Sequence, residues 1–242
     1  RPASASGPAT MAGSLAIGNA EILAGLTISQ LNNPGAPFID GGHIAPLDPR
    51  SSILAYGNPE WHMSSAVLTQ LSNFYGLPSW STGGCTDSKL MDGQAVGEAV
   101  YSILLSGLSG ANLIHDVGYM ESGLTGNLDF VTALNEFVGL TKNIMGGYDV
   151  SEETLAVDLI DEKGPGGDFL TERHTVDHFR DETWIPELLD RKDYQGWTKD
   201  GASTLEQRAH DKVKKLLKSH EPEPIAEDKI QAIEGIVDRV KG

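Results

Sequence analysis

The chain has 242 residues, of which 39% are hydrophobic and 21% are charged, so it has enough apolar side chains for a folded core. Asp and Glu total 34 against 18 Lys and Arg, a formal net charge of -16 that repels nucleic-acid phosphates and anionic membrane headgroups. The single cysteine excludes an internal disulfide and a thiolate-rich metal site, and it suits a reducing, cytoplasmic location.

The first predicted element is a helix from Pro8 to about Asn32. Its apolar residues lie nearly all round, which predicts a buried helix. Gly18, Glu21 and Gly25 interrupt the apolar run, so we do not expect this helix to cross a membrane. The chain opens without Met, and we expect it to be part of a longer protein.

Short apolar segments then alternate with helical ones. Strands are predicted at residues 36–39, 79–82 and 111–115, and helices at about 58–74, 91–108 and 129–145. This alternation is typical of right-handed βαβ units and a parallel sheet, and the spacing suits barrel units. We therefore predict the α/β class, with residues 1–147 as a partial (β/α) barrel. Because a closed barrel needs eight strands, an N-terminal half, another subunit or a symmetric partner would cover the open edges.

Residues 148–242 have a different character and are predicted to form a mainly helical C-terminal extension that packs on the barrel. A capping box at Ser203 and Glu206 indicates the start of one helix. The segment 221–224 is predicted as a linker, and an amphipathic helix is expected at 228–240.

The loops that follow the three predicted strands are the natural place for chemistry, because reactive groups of parallel barrels lie at the carboxyl ends of the strands. His115 ends a strand and is followed by Asp116, so it can bind a substrate carboxylate or act as an acid or base, with structural hydrogen bonding as the alternative. Phe38, Trp80 and Tyr119 flank the strand ends, where aromatic faces can attract a quaternary ammonium group; each could instead be a core residue.

Two other groups of polar residues have simpler interpretations. Cys85 and Asp87 lie in the glycine-rich loop after the second strand, where Asp87 could instead pair with Lys89 and cap the next helix. His174 and His178 are four apart and could share a helix face, but they lie in the extension and are interpreted as structural.

Several stretches of the chain are distinctive when taken together: Gly7-Pro8-Ala9-Thr10-Met11-Ala12-Gly13, Gly18-Asn19-Ala20-Glu21-Ile22-Leu23-Ala24-Gly25, Tyr75-Gly76-Leu77-Pro78, Thr86-Asp87-Ser88-Lys89, Gly110-Ala111-Asn112-Leu113-Ile114-His115-Asp116-Val117-Gly118-Tyr119, and His178-Phe179-Arg180 with Trp184. Together they resemble the trimethylamine methyltransferase family. The resemblance covers nearly the whole chain but only about the C-terminal half of a typical member. It implies the C-terminal half of a TIM (β/α)8 barrel, whose mouth receives a methylated amine and faces a corrinoid (cobalamin) protein. On this view the corrinoid is carried by that partner and no cofactor is bound in this chain.

The resemblance also limits the range of substrates to be expected. Archaeal members that use trimethylamine carry pyrrolysine in the region of the second loop, and this sequence has none, so it looks like a member acting on quaternary amines such as glycine betaine. A quaternary amine already has a cationic leaving group, whereas a tertiary amine needs prior activation. The implied roles are catalytic for His115 and Asp116, and substrate-binding for Phe38, Trp80, Cys85, Asp87 and Tyr119. A cytoplasmic enzyme, connected with methanogenesis in archaeal members, is the corresponding expectation.

Two other functions remain open from the sequence. The first is an inactive or fragmentary protein that binds a methylated amine without turning it over. The second is a metal-dependent barrel lyase or hydrolase that uses His115, Asp116 and Asp40.

Overall fold

The structure is a computed structural model that describes residues 2–241. Its helices are α1 Met11–Asn32, α2 Pro59–Tyr75, α3 Gly93–Leu108, α4 Leu128–Gly146, α5 Glu152–Leu155, α6 Val157–Lys163, α7 Arg173–Glu182, α8 Tyr194–Lys199, α9 Leu205–Ser219 and α10 Glu227–Lys241. Its strands are β1 Pro2–Ala3, β2 Asp40–Gly41, β3 Ala45–Pro46, β4 Ser79–Thr82, β5 Leu113–His115, β6 Tyr119–Met120 and β7 Thr125–Gly126. The chain is thus a mixed helix and sheet protein of the α/β kind.

The central sheet contains three parallel strands in the order β2-β4-β5. Each strand is followed by a helix that returns the chain to the amino end of the next, so the predicted βα alternation is confirmed. In the register, Thr82 lies opposite His115. The carboxyl ends of β4 and β5 therefore meet at one edge of the sheet.

The two faces of this sheet differ. On one face Asp40 accepts a hydrogen bond from Ser72 of α2 at 2.7 Å, and Ser81 contacts Ser106 of α3 at 3.4 Å, so helices cover it. Alternation along a strand sends Trp80 and Leu113 to the other face. Trp80 is 37% exposed and Leu113 is 51% exposed. This second face is largely uncovered.

Packing of α3 against α4 forms the largest core. Ala99 and Ile103 of α3 meet Phe130 and Leu134 of α4, and Met120 of β6 completes the cluster. Asp92 starts α3 by accepting a hydrogen bond from the Ala95 backbone N–H. The core therefore lies directly behind β5 and the loop that follows it.

The C-terminal region is joined to α4 by both apolar and polar contacts. Ala133 of α4 packs with Leu188 and with Ala209 of α9. The buried Glu136 carboxylate accepts hydrogen bonds from the backbone N–H groups of three consecutive residues, Glu187, Leu188 and Leu189, at 2.5, 2.8 and 3.3 Å. These contacts hold the extension on the outer side of the helical layer.

Some predicted boundaries are wrong. The first strand of the sheet is at Asp40–Gly41, after the predicted segment 36–39, because its pairing with Ser79 and Trp80 determines where it begins. The helix predicted to start with a capping box at Ser203 has its capping box one residue later, at Thr204 and Gln207. The strand pairs β1-β3 and β6-β7 were not predicted.

The expected burial of α1 is also wrong. Only Ser14 and Gly18 of this helix are buried, because it packs against neighbouring elements along one side alone. Ile28 and Leu31 are exposed. By length and composition α1 is apolar enough to span a membrane, but one such helix near the chain start is weak evidence because core helices pass the same test.

Candidate active site at the strand ends

His115 is the central polar group at the carboxyl ends of the strands. Its Nδ1 lies 2.6 Å from Oδ1 of Asp116, and its ring stacks on the Trp80 indole with 3.9 Å between ring centres and 7° between planes. Its Nε2 is buried and has no hydrogen-bond partner among residues 2–241. The imidazole is therefore fixed at one nitrogen and on one face, while the other nitrogen is buried without a hydrogen-bond partner among the described residues.

The backbone of Asp116 explains how adjacent residues form this pair. Asp116 has a φ of 74°, in the left-handed region where Asp is tolerated better than most residues. This turn points the carboxylate back toward the preceding imidazole. Burial raises the pKa of the Asp116 carboxyl, while the charge of His115 and the hydrogen bond to it oppose the rise.

A second aromatic group adjoins the first. Trp61, at the start of α2, stacks on Tyr56 at 4.1 Å and contacts the His43 ring at 4.2 Å between centres. Its Nε1 donates a 3.1 Å hydrogen bond to Oγ1 of Thr82. Because Thr82 is paired with His115, this stack adjoins the strand ends.

Two of these rings have perturbed pKa values. Burial lowers the pKa of His43 to about 4, with a further contribution from the nearby His115. Burial also raises the pKa of the Tyr56 phenol. At neutral pH both rings are therefore uncharged, and the wall that they form with Trp61 is mainly aromatic.

Sequence reasoning missed Tyr56 and Trp61 as site residues. A usable signal was present, because the N-terminal end of a helix in a βα unit lies on the same side as the carboxyl end of its strand. Trp61 lies in the first turn of α2, so it belongs to the same side as His115.

The glycine-rich loop after β4 is largely buried. The Cys85 side chain is fully buried, and burial together with Asp116 and Asp87 raises the pKa of its thiol to about 12. The thiol therefore stays protonated at neutral pH and is a poor nucleophile.

Asp87 links three loops. Its carboxylate accepts hydrogen bonds from the backbone N–H groups of Tyr56 and Gly57, each at 2.9 Å, and from Ser122 Oγ at 2.7 Å. Lys89 binds the Asp87 carbonyl oxygen instead of the carboxylate. The expected alternative, an Asp87–Lys89 ion pair that caps α3, is therefore wrong, and the cap is Asp92.

The remaining two predicted site residues, Tyr119 and Phe38, differ in how close they lie to the carboxyl ends of the strands. Tyr119 is exposed in β6, directly after the His115 loop. Phe38 precedes β2 and lines a cavity of about 310 Å³ beside Glu21 and Ile22 of α1. Because β2 begins at Asp40, Phe38 lies before the amino end of that strand, and the structure does not bring it to the strand ends with Trp80.

The residues considered for a metal-dependent reaction are not brought together. Asp40 lies on the helix-covered face, bonded to Ser72, whereas His115 belongs to the opposite face. In the part of the chain that the structure describes, no group of three or more His, Cys, Asp or Glu side chains has an arrangement suited to a metal ion. His174 and His178 do share a face of α7, and their ring centres are 4.4 Å apart.

The sequence of the chain matches a known protein family. Residues 2–242 match the family described as trimethylamine methyltransferase. This chain belongs to the trimethylamine methyltransferase family. The family resemblance predicted from the sequence is therefore confirmed.

Relatives within the trimethylamine methyltransferase family carry two kinds of name. The chain is 37% identical to a glycine betaine methyltransferase of Desulfitobacterium hafniense, with 95% of this chain and 49% of that protein covered. It is 38% identical to a trimethylamine methyltransferase MttB of Methanosarcina barkeri, with 97% and 47% covered. A trimethylamine methyltransferase MttB of Desulfitobacterium hafniense is 36% identical, with 96% and 47% covered. The chain spans about half the length of the curated relatives it matches.

Proposed function

We propose that this chain is the C-terminal half of a (β/α)8 barrel that transfers a methyl group from a quaternary methylated amine, such as glycine betaine, to a corrinoid carried by a partner protein. Family membership supports the reaction class. The half barrel is supported by a parallel sheet with helices on one face and exposed apolar residues on the other. An N-terminal half, or another copy of the chain, would cover that face and the outer edges of β2 and β5.

The observation that carries the proposal is the Trp80–His115 pair. One face of the indole is stacked on His115, and the part of the indole that stays exposed can contact a methylated cation, with the buried, unpartnered Nε2 of the imidazole beside it. Glycine betaine combines a quaternary ammonium with a carboxylate, so it has one group for each. Tyr119 lies next along the same loop and can extend the aromatic wall.

His115 would orient the substrate and Asp116 would hold His115. In the imidazolium form Nδ1–H donates to Asp116, and Nε2–H is left to donate to the substrate carboxylate. The uncharged wall of Tyr56, Trp61 and His43 would exclude water from the ammonium end. Cys85 and Asp87 would support this site from behind, since the thiol is protonated and the carboxylate is occupied by loop contacts.

In this reaction the main task of the chain is to position the methylated amine. When the methyl group leaves, the C–N bond breaks and its electron pair stays on nitrogen, so the departing tertiary amine is neutral. The reduced corrinoid supplies the nucleophile that takes the methyl group. The protein's contribution is orientation and desolvation of the cation.

Methyl transfer to reduced corrinoid tests this function directly. The chain would be assayed alone and mixed with the N-terminal half of the Desulfitobacterium glycine betaine methyltransferase, with glycine betaine or trimethylamine as donor. We expect transfer from glycine betaine by the mixture and little by the chain alone. Transfer from trimethylamine only would refute the substrate class. Binding of glycine betaine without transfer would favour the binding-protein alternative, and stoichiometric zinc or manganese would favour a metal enzyme.

A further inference from the structure

His174 and His178 lie one turn apart on α7, and their rings face the short helix α5. Their ring centres are 4.4 Å apart. Nε2 of His174 lies 3.3 Å from the carbonyl oxygen of Glu153, and Nε2 of His178 lies 3.6 Å from Oε1 of the same residue. Both ring nitrogens therefore converge on one acidic residue, at the contact between α7 and α5.

The distance between His178 and Glu153 suits two ligands of one metal ion. At 3.6 Å, Nε2 and the carboxylate oxygen are too far apart for a hydrogen bond. In a tetrahedral zinc site the ligand nitrogen and oxygen atoms lie about 2.0–2.2 Å from the ion, so they are about 3.3–3.5 Å from each other. Histidines four apart on one helix are also a recurring pair of zinc ligands, because both rings can reach the same ion. The two histidines and Glu153 thus have the donor types of a zinc site and nearly its spacing.

We propose that Nε2 of His174, Nε2 of His178 and the carboxylate of Glu153 bind one Zn²⁺ ion, with water as the fourth ligand. Two imidazoles and a carboxylate are a ligand set that zinc accepts. Among the described residues these side chains do not surround a common point, so binding requires the Glu153 carboxylate to rotate toward the two rings. The Glu153 side chain is 78% exposed, which leaves it room to rotate.

This zinc site belongs to the C-terminal extension and not to the strand ends. None of its three ligands lies in the loops after β2, β4 or β5, where methyl transfer is proposed. The zinc site is therefore independent of the proposed function. A zinc ion bound here has a structural role, and it differs from a metal at His115, which would indicate the metal-enzyme alternative.

The helices around this zinc site have little else to stabilise them. Helices α5, α6 and α7 contain no buried residue. Polar contacts join them, such as the ion pair between Lys163 at the end of α6 and Glu172 just before α7, and surface ion pairs contribute little to stability. A zinc ion that joins α5 to α7 would link the two ends of this segment, and it would stabilise the folded form because only that form brings the three ligands together.

Calorimetric titration of the chelator-treated 242-residue chain with Zn²⁺ tests the site. We expect one ion per unmodified chain, and at least tenfold weaker binding by His174→Gln and by His178→Gln, since each loses one of three ligands. His220→Gln is the matched control, because it removes an exposed histidine at the end of α9, and it should bind zinc like the unmodified chain. Equal affinity in all four proteins would overturn the proposal. So would no binding by the unmodified chain, or binding that is lost only in His115→Gln.

A second pair of variants separates this site from chelation by two histidines alone. Glu153→Gln keeps both rings and removes the carboxylate, so zinc affinity should fall at least tenfold, whereas the exposed neighbour Glu152→Gln should leave it unchanged. Amide hydrogen exchange, read by mass spectrometry, should slow in α5 and α7 when zinc is added to the unmodified chain, and not in His178→Gln. Unchanged affinity in Glu153→Gln, or zinc binding without slower exchange in α5, would refute the link between the two helices.

Discussion

Two histidines near the strand ends differ in what they can do because of where their rings lie. His115 has one nitrogen paired with Asp116 and one without a partner, and its ring lies on an uncovered face of the sheet. His43 is packed against Trp61, and burial holds its pKa at about 4. We therefore expect His115 to act on a ligand and His43 to be part of an uncharged wall.

The role of His115 predicts a specific loss on substitution. His115→Ala removes a charge-assisted hydrogen bond and should weaken glycine betaine binding by about 1–3 kcal/mol. Calorimetric titration of the chain assembled with an N-terminal half measures this. His210→Ala is the matched control, because His210 of α9 forms a similar 3.0 Å pair with Asp129 of α4. Equal affinities for His115→Ala and the unmodified protein would remove His115 from the site.

The buried His43 predicts a pH dependence of stability. Its pKa is 6.5 when exposed and about 4 in the folded chain, so the unfolded state takes up the proton first as pH falls. The contribution of His43 is therefore complete above pH 6.5 and is lost as pH falls toward 4. His43→Gln does not titrate, so the stability gap between the two proteins should shrink by roughly 2 kcal/mol across this range. Urea unfolding at several pH values measures the gap, and a constant gap would contradict the prediction.

Among the elements, strand β2 affects the position of Trp80 through a glycine, Gly41. A Cβ on Gly41 would lie 2.5 Å from the Trp80 ring, so this glycine sets the position of the indole. Gly41→Ala should displace Trp80 and lower glycine betaine affinity by about 0.5–2 kcal/mol, the range of a cation–π contact. Gly126→Ala is the control, because its Cβ would meet nothing within 4 Å. If both variants bind equally well, Trp80 does not contact the ligand.

Helix α4 fixes the extension through one buried carboxylate. Glu136 accepts from three backbone N–H groups, and Glu136→Gln replaces a charged acceptor with a neutral one that also brings two donors into the same space. We expect a loss of about 2–3 kcal/mol in the free energy of unfolding. Glu182→Gln, at the exposed end of α7, should change it by less than about 0.5 kcal/mol. A similar small change in both variants would show that the Glu136 contacts add little.

The elements that the sequence predicted well are those whose signals are local. β4 has the predicted bounds because its segment lies between a helix-ending Gly76-Leu77-Pro78 and a pair of glycines. The two-residue β2 was misplaced because pairing with β4, and not its own sequence, decides where it starts.

The residues of the candidate site also divide into those with a local sequence signal and those brought together only by packing. His115 and Asp116 could be predicted because they are adjacent in sequence at a strand end. The stack of His43, Tyr56 and Trp61 could not, because it forms only when α2 packs beside the sheet. Burial of α1 was predicted from composition, but burial depends on what covers a helix, and composition does not show that.

At the scale of the whole molecule, the sheet has one face covered by α2 and α3 and one face that is largely open. The net charge of -16 does not explain the open face, because charge on the rest of the surface does not remove apolar residues from water. The chain also spans about half the length of its relatives. An uncovered face on a half-length chain supports a second half barrel as its partner.

This arrangement predicts a residue that matters for assembly and not for the stability of the chain alone. Leu113 is 51% exposed on the open face, so Leu113→Asp should change the unfolding free energy of the isolated chain by less than about 0.5 kcal/mol. In a closed barrel the same position would be interior, and a buried, unpaired carboxylate there should weaken association with an N-terminal half at least tenfold. Titration of the two halves, monitored by calorimetry, measures this, with the exposed Val150→Asp as the control for added charge. If Leu113→Asp and Val150→Asp associate equally well, the open face is not where the second half binds.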